Sequence, residues 1–190
     1  MVILRDKKLR YTASMRVLGI DCGTEFTGYG VVEQTDSQKL RYIAAGAIHA
    51  SKRSAMAERL RHIHQSLGAL LATHHPDVVA IEEVFYSVNA KSALKLGQVR
   101  GVAMLAACTA GLPIAEYAPL AIKLAVVGYG RAEKQQVQEM VTRLLRLESV
   151  PVSEDAADAL AIAICHLHTA GTLARQAPKV TSKAASQGNL

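Results

Sequence analysis

Residues 16–32 read RVLGIDCGTEFTGYGVV. An apolar run, Val17-Leu18-Gly19-Ile20, ends on Asp21; a turn of small residues follows, then a second apolar stretch from Tyr29 to Val32. The pattern is two short strands joined by a tight turn, the first closing on a carboxylate. Taken alone, Asp21 has two readings of equal weight. It is a turn former whose side chain bonds nearby backbone N–H groups, or it stands at the mouth of a sheet where ligands and metals are held. The rest of the chain has to decide.

Working outward, strands are expected over 15–21, 28–34 and 40–48, separated by the turns CGTEFTG and QTDSQ. Three strands in close succession predict an antiparallel meander. The period then changes. Met56, Leu60, Ile63, Leu67, Leu70 and Leu71 recur at helical spacing, which predicts an amphipathic helix over 54–73, stopped near His75-Pro76. DVVAIE (77–82) is short and almost wholly apolar, as strands buried on both faces are. A helix rich in small residues is expected over 90–110, a strand at 113–117, a short helix at 119–127 and an amphipathic helix over 132–147. A last helix is expected to start near Ser153, a suitable N-cap, and to run to about 168. The order predicts an α/β fold, a mixed five-stranded sheet with helices on its faces.

Composition sets the frame. A chain of 190 residues is one domain's worth, and half of them are apolar, enough for an aliphatic core. No run of 18 uncharged apolar residues is present, and MVILRDKKLRYTASMRV lacks the apolar centre of a signal peptide. Neither a membrane partner nor export is expected. Cys22, Cys108 and Cys165 are odd in number and far apart, so neither a disulfide framework nor a thiolate zinc site is expected, and a cytoplasmic location fits. The net charge of +6 sits in the ends: +4 in residues 1–16 and +3 in 171–190, which leaves 17–170 at −1. The basic balance is therefore weak evidence for nucleic acid. Residues 1–14 are expected to be an extension outside the fold, 15–170 the domain, and 171–190 a disordered basic tail.

Three acidic places stand out. Asp21 ends the first strand; Glu82 and Glu83 end DVVAIEE; Asp155 and Asp158 open the last helix three residues apart, on one face. Each has an ordinary explanation, such as acids favoured at a helix N-terminus. For Asp158 that explanation strains, because the helix is apolar nearly all round (Ala156, Ala157, Ala159, Leu160, Ala161, Ile162) and must pack closely. A buried carboxylate without compensation is costly, and a hard divalent cation would compensate it. Glu83 is expected to matter less than Glu82, since neighbouring strand residues point to opposite faces.

The blocks GIDCGTEFTGYGVV, AIEEVF, NAKSALKLGQVRG, VVGYGRAEKQQVQ and EDAADALAIA together resemble the RuvC-type Holliday junction resolvases, bacterial members of the ribonuclease-H-like superfamily. The resemblance covers about residues 16–168. It implies a ribonuclease-H-like fold and a homodimer that binds a four-way DNA junction and nicks two opposing strands. It also implies Mg²⁺, with Mn²⁺ as a substitute, two ions per site, and a branch-migration complex of the RuvA–RuvB type as partner. The family's catalytic and metal-holding acids fall on Asp21, Glu82, Asp155 and Asp158. Cys22 stands where the family commonly has Pro. Phe85 and Tyr86 fall where the family places an aromatic against DNA bases; the alternative is a core Phe closing a strand. Lys123 and Lys134 match basic residues beside the scissile strand, and Lys91, with Lys95 and Arg100 on the same helix, adds to the expected DNA surface; the alternative for each is a solvated charge. His166 and His168 read as helix-end residues rather than ligands, and the cysteines as small apolar fillers. Three rivals remain at this level. An actin-like ATPase shares the Asp-x-Gly-Thr turn but needs two lobes. A silent junction-binding module would not need all four acids. An RNA–DNA hybrid nuclease would share the fold.

Overall fold

The structure is a computed structural model and describes residues 14–83, 90–149, 151 and 153–176. Its elements in chain order are β1 (Met15–Asp21), β2 (Phe26–Gln34), β3 (Leu40–His49), α1 (Met56–His74), β4 (Val78–Glu82), α2 (Ala90–Thr109), β5 (Ile114–Tyr117), α3 (Pro119–Val127), α4 (Lys134–Leu145) and α5 (Glu154–Gln176). The sheet order is β3-β2-β1-β4-β5. β1–β2 and β2–β3 are antiparallel; β1–β4 and β4–β5 are parallel. The expected mixed five-stranded sheet is therefore present.

Alternation along the strands sorts the side chains between two cores. Leu18, Ile20, Val79 and Ile81 face α1 and α2 with Ile63, Leu67, Val99 and Ala103. Val17, Val78, Ala80, Ala115 and Tyr117 face the other way, against Ile122, Val137, Val141 and the length of α5. β1 and β4 are buried on both faces, which is why they read as continuous apolar runs.

α5 lies flat on β1 and β2, and two glycines make this possible. A Cβ at Gly19 would collide with the backbone carbonyl of Ala159, and one at Gly28 with that of Asp155. Glycine on the strands and alanine on the helix bring the two backbones into contact. Ser153 caps α5, its Oγ accepting from Ala156 N–H at 3.1 Å. The helix runs to Gln176, past 168 and into the stretch expected to be tail from 171 onward. Thr172 Oγ1 donates to His168 O at 2.9 Å, one internal bond of the helix in a stretch whose composition gave no period. α1 ends as expected, with His75 left-handed at φ 46° before Pro76.

Candidate active site

The site is built at one end of the sheet. β1 and β4 run parallel with Ile20 opposite Ile81, so the next step places Asp21 beside Glu82 at the strands' C-terminal ends. Both belong to the face that carries Val17, Gly19, Val78 and Ala80, the face covered by α5. The close approach of α5 at Gly28 delivers Asp155, and one turn on, Asp158. Four carboxylates from three chain regions thus share one small volume. Glu83 continues the β4 ladder, its N–H donating to Tyr117 O at 2.8 Å, and it is not among the charges that shift Asp21, Glu82 or Asp158.

Electrostatics report the same gathering. Burial, and then the charges of Asp158, Glu82 and Asp155, push the Asp21 carboxyl up to about 7. Burial and Asp158 raise Glu82, against the opposing pull of Lys123 and Lys134. Burial also raises Asp158, opposed by its hydrogen bond from Lys134. Burial beside Asp21 lifts the Cys22 thiol to about 12, so it stays protonated and inert.

Lys134 Nζ lies 3.0 Å from Asp158 Oδ2 and 3.0 Å from Glu154 Oε2. Burial alone would lower its pKa; the two carboxylates raise it instead. The chain thus sets an ammonium of its own against the cluster. Lys123 joins Lys134, Glu82 and Asp158 around a cleft of about 230 Å³ between β4, α3, α4 and α5. Arg100 is different: its guanidinium pairs with Glu116, and its Nε donates to the Glu82 carbonyl at 3.3 Å. Within the chain it acts as a strap holding the end of β4. Lys91 and Lys95 stand on the exposed side of the first turns of α2. Phe85 and Tyr86 lie outside the described residues.

The donor set fits hard divalent cations. Carboxylates are what such ions take, and the mutual repulsion recorded at Asp21 is what a cation relieves. Among the described residues no three acid, His or Cys side chains converge closely enough to ligate one ion as they stand. Two features of the site escaped the sequence reading. Glu154 shares Lys134 with Asp158, and the alternation Gly28-x-Gly30 on one face of β2 was the signal for the helix that lies upon it.

A mixed sheet of this order, with an acid cluster at the ends of β1 and β4 and at the start of the last helix, defines a ribonuclease-H-like nuclease. The family model described as crossover junction endodeoxyribonuclease RuvC matches residues 17–166. The chain belongs to that family. Crossover junction endodeoxyribonuclease RuvC of Koribacter versatilis is 61% identical over 165 residues, covering 87% of this chain and 99% of that protein. The Acidobacterium capsulatum protein of the same name is 62% identical over 168 residues, 85% of this chain and 98% of its own. Among solved structures, Thermus thermophilus RuvC in complex with Holliday junction substrate matches with a TM-score of 0.79 at 35% identity, covering 83% of this chain and 96% of the other. The enzyme is a nuclease of a family that requires a divalent metal. Among the described residues no helix is long and apolar enough to cross a membrane.

Proposed function

We propose that this chain resolves four-way DNA junctions in recombination and repair by paired, symmetric nicks, each the hydrolysis of one phosphodiester. The observation that carries the reading is the gathering of Asp21, Glu82, Asp155 and Asp158 at one sheet end, close enough that Asp21 is pushed to about 7. The solved complex of the Thermus relative with a Holliday junction supports the choice of substrate.

Asp21, Glu82, Asp155 and Asp158 would hold two Mg²⁺ ions, or Mn²⁺ in their place. When bound, such a pair supplies activation of the attacking water and charge stabilisation on the leaving oxygen. The new bond joins water oxygen to phosphorus, and the bond to the 3′ oxygen breaks, leaving a 3′ hydroxyl and a ligatable 5′ phosphate. Lys123, on the cleft wall, faces the scissile phosphate. Lys134 exchanges its acid partners for a phosphate oxygen when DNA arrives. Phe85 and Tyr86, three and four residues beyond Glu82, meet bases beside the cut, and Lys91 extends the phosphate track along α2. Phosphate contacts of this kind position the strand without reading sequence. Paired nicking asks for two sites related by a two-fold axis, hence a homodimer. A branch-migration complex of the RuvA–RuvB type is the partner in a cytoplasmic setting.

The test compares a four-way junction, a linear duplex and an RNA–DNA hybrid in Mg²⁺. Selective, symmetric cutting of the junction is expected. Preference for the hybrid would replace this reading with that of a hybrid nuclease on the same fold.

A further inference from the structure

Two rings at the acid end of the sheet have no part in the site described above. Phe26 opens β2 and His49 closes β3, and the two are register partners. Their rings stack with centroids 4.8 Å apart and planes 22° from parallel. Both stand in solvent; Phe26 is 42% exposed, in a chain with only two Phe.

Their position follows from the strands. Asp21 pairs with Gly28, two residues after Phe26. Side chains alternate along a strand, so Phe26 shares the face on which Gly28 meets Asp155. In β3, Ile48 and Ala50 point into the core under α1 and α2, so His49 points to the face of α5. The stacked pair therefore flanks the acid cluster on the β3 side. β4, which carries Glu82, lies on the other side of β1 in the sheet. A groove of about 510 Å³, lined by Ala45, Ala47, Ser153 and Ala156 among others, runs along this face of β3 beside the start of α5.

The surroundings narrow the occupant. Thr24 and Glu25 precede Phe26, and the turn after His49 exposes Lys52 and Arg53, with Lys52 paired to Glu25. An aromatic face set among polar and basic groups lacks the apolar surround of a protein-docking patch. It has what a single-stranded nucleic-acid contact uses: a flat π-surface for a base and cations for the backbone.

We propose that the Phe26–His49 pair is a base-stacking site, taking an unstacked nucleobase of the junction on the β3 flank of the acid cluster. This rests on the nuclease reading above and adds to it an aromatic contact on the β3 flank of the acid cluster. The pair also contributes a cross-strand contact to the hairpin, so the experiment has to separate DNA binding from folding.

Four-way junctions carrying 5-iodouracil at successive positions around the crossover are bound to the wild-type protein in EDTA and irradiated. Crosslinked peptides containing Phe26 or His49 are expected. Phe26→Ala should weaken binding of the unmodified junction roughly fivefold to tenfold, the lower end of what one base–aromatic stack contributes. Phe26→Trp should restore it; Phe26→Ala should melt slightly below wild type for want of the cross-strand contact, and circular dichroism should show every variant folded at the binding temperature. Absence of the crosslink, or undiminished binding by Phe26→Ala while the wild type binds and cuts junctions normally, overturns this inference alone. A wild type that neither binds nor cuts a four-way junction brings down the nuclease reading and this one with it.

Discussion

Ionising Asp21 places a negative charge at a buried strand end beside Asp158, Glu82 and Asp155, and burial together with those neighbours pushes its carboxyl up to about 7. Without a cation this arrangement costs stability, as sites organised for chemistry do. Asp21→Asn keeps the shape and removes the charge. In chelator at pH 8 it should therefore melt higher than wild type, and added Mg²⁺ should stabilise the wild type more than the variant. Paired melting curves with and without Mg²⁺ check this; a lower melting temperature for the variant in chelator would show that repulsion is not what the site stores. The same substitution, and Glu82→Gln, Asp155→Asn and Asp158→Asn, should each cut cleavage by at least about a hundredfold, the order lost when one charge-stabilising group leaves an active site. Junction affinity in Ca²⁺ should persist, and Glu83→Gln should cleave nearly as wild type. A different buried residue works in the opposite sense. His166 Nδ1 lies 2.8 Å from the Tyr117 hydroxyl, Nε2 is buried without a hydrogen-bond partner, and burial lowers its pKa to about 4. Between its ordinary value near 6.5 and 4 the unfolded chain takes up a proton that the folded chain refuses. Stability contributed by the neutral ring is thus present above pH 6.5 and falls, as pH drops toward 4, by about 1.4 kcal/mol per unit. Asp21 titrates with the opposite sign in the same window, so the slope is read as a difference: chemical denaturation should show wild type losing stability relative to Tyr117→Phe/His166→Phe, which removes the titration with both polar partners, as pH falls from 6.5 toward 4.

At the scale of elements, the seam between α5 and the β1–β2 hairpin places half of the site. Gly28 lies against the first turn of α5, where a Cβ would meet Asp155 backbone. Backbone cannot step aside as a side chain can, so Gly28→Ala must lift the start of the helix. The expected loss is about 1–3 kcal/mol of stability, as for overpacked cores, together with a cleavage defect, because the displaced turn carries Asp155. Gly68→Ala is the control: it lies on the exposed side of α1 with open space around it, and should gain up to about 1 kcal/mol from helix propensity. Denaturant midpoints and cleavage rates of the two variants should move apart; a cleavage rate equal to wild type in Gly28→Ala would detach the seam from the site. The same seam shows what a sequence can and cannot say. Period and turn chemistry set the elements to within a few residues, and Asp21, Glu82, Asp155 and Asp158 were legible because each ends a strand or opens a helix. The pairing of Lys134 with Asp158 and Glu154, and the strap from Arg100 to Glu116 and the Glu82 carbonyl, were not. Long flexible side chains choose partners by tertiary proximity, and a lysine or arginine on an amphipathic helix reads the same whether it meets solvent, phosphate or an acid from another element. The helical continuation to Gln176 escaped for another reason: composition there carries no period, and a helix already docked propagates at little cost.

The paired nicking proposed above needs two sites, and α2 offers a face on which a second copy could sit. Gly97, Gly101, Ala103 and Ala106 are the small residues of this helix that would admit a close neighbour. The fold divides them. Ala103 and Ala106 are buried in the chain's own core beneath α2, at 0% and 4% exposure, while Gly97 and Gly101 face solvent with nothing within 4 Å of a Cβ. On that outer side Leu94 and Leu105 are exposed by 71% and 56%. Leu94, Gly97, Gly101 and Leu105 follow one another at intervals of three, four and four, one continuous face of the helix. Two leucines flanking two glycines would let a second copy of the same helix approach across a two-fold axis, each Leu set to cover the partner's Gly, the self-complementary contact that a symmetric dimer requires. The full-length protein is therefore expected to have the mass of two chains in solution by light scattering. Gly101→Arg and Leu105→Glu, which place charge on this face without touching the core side, should give folded monomers with unchanged circular dichroism. Their chemistry should survive in altered form: isolated nicks on one strand of a junction, with the coupling between opposed cuts lost. Ala103→Arg should instead unfold the protein, because its side chain has only the interior to enter. A wild type that is monomeric both free and on a junction, or a Leu105→Glu variant that stays dimeric and cuts in pairs, would move the interface off this helix.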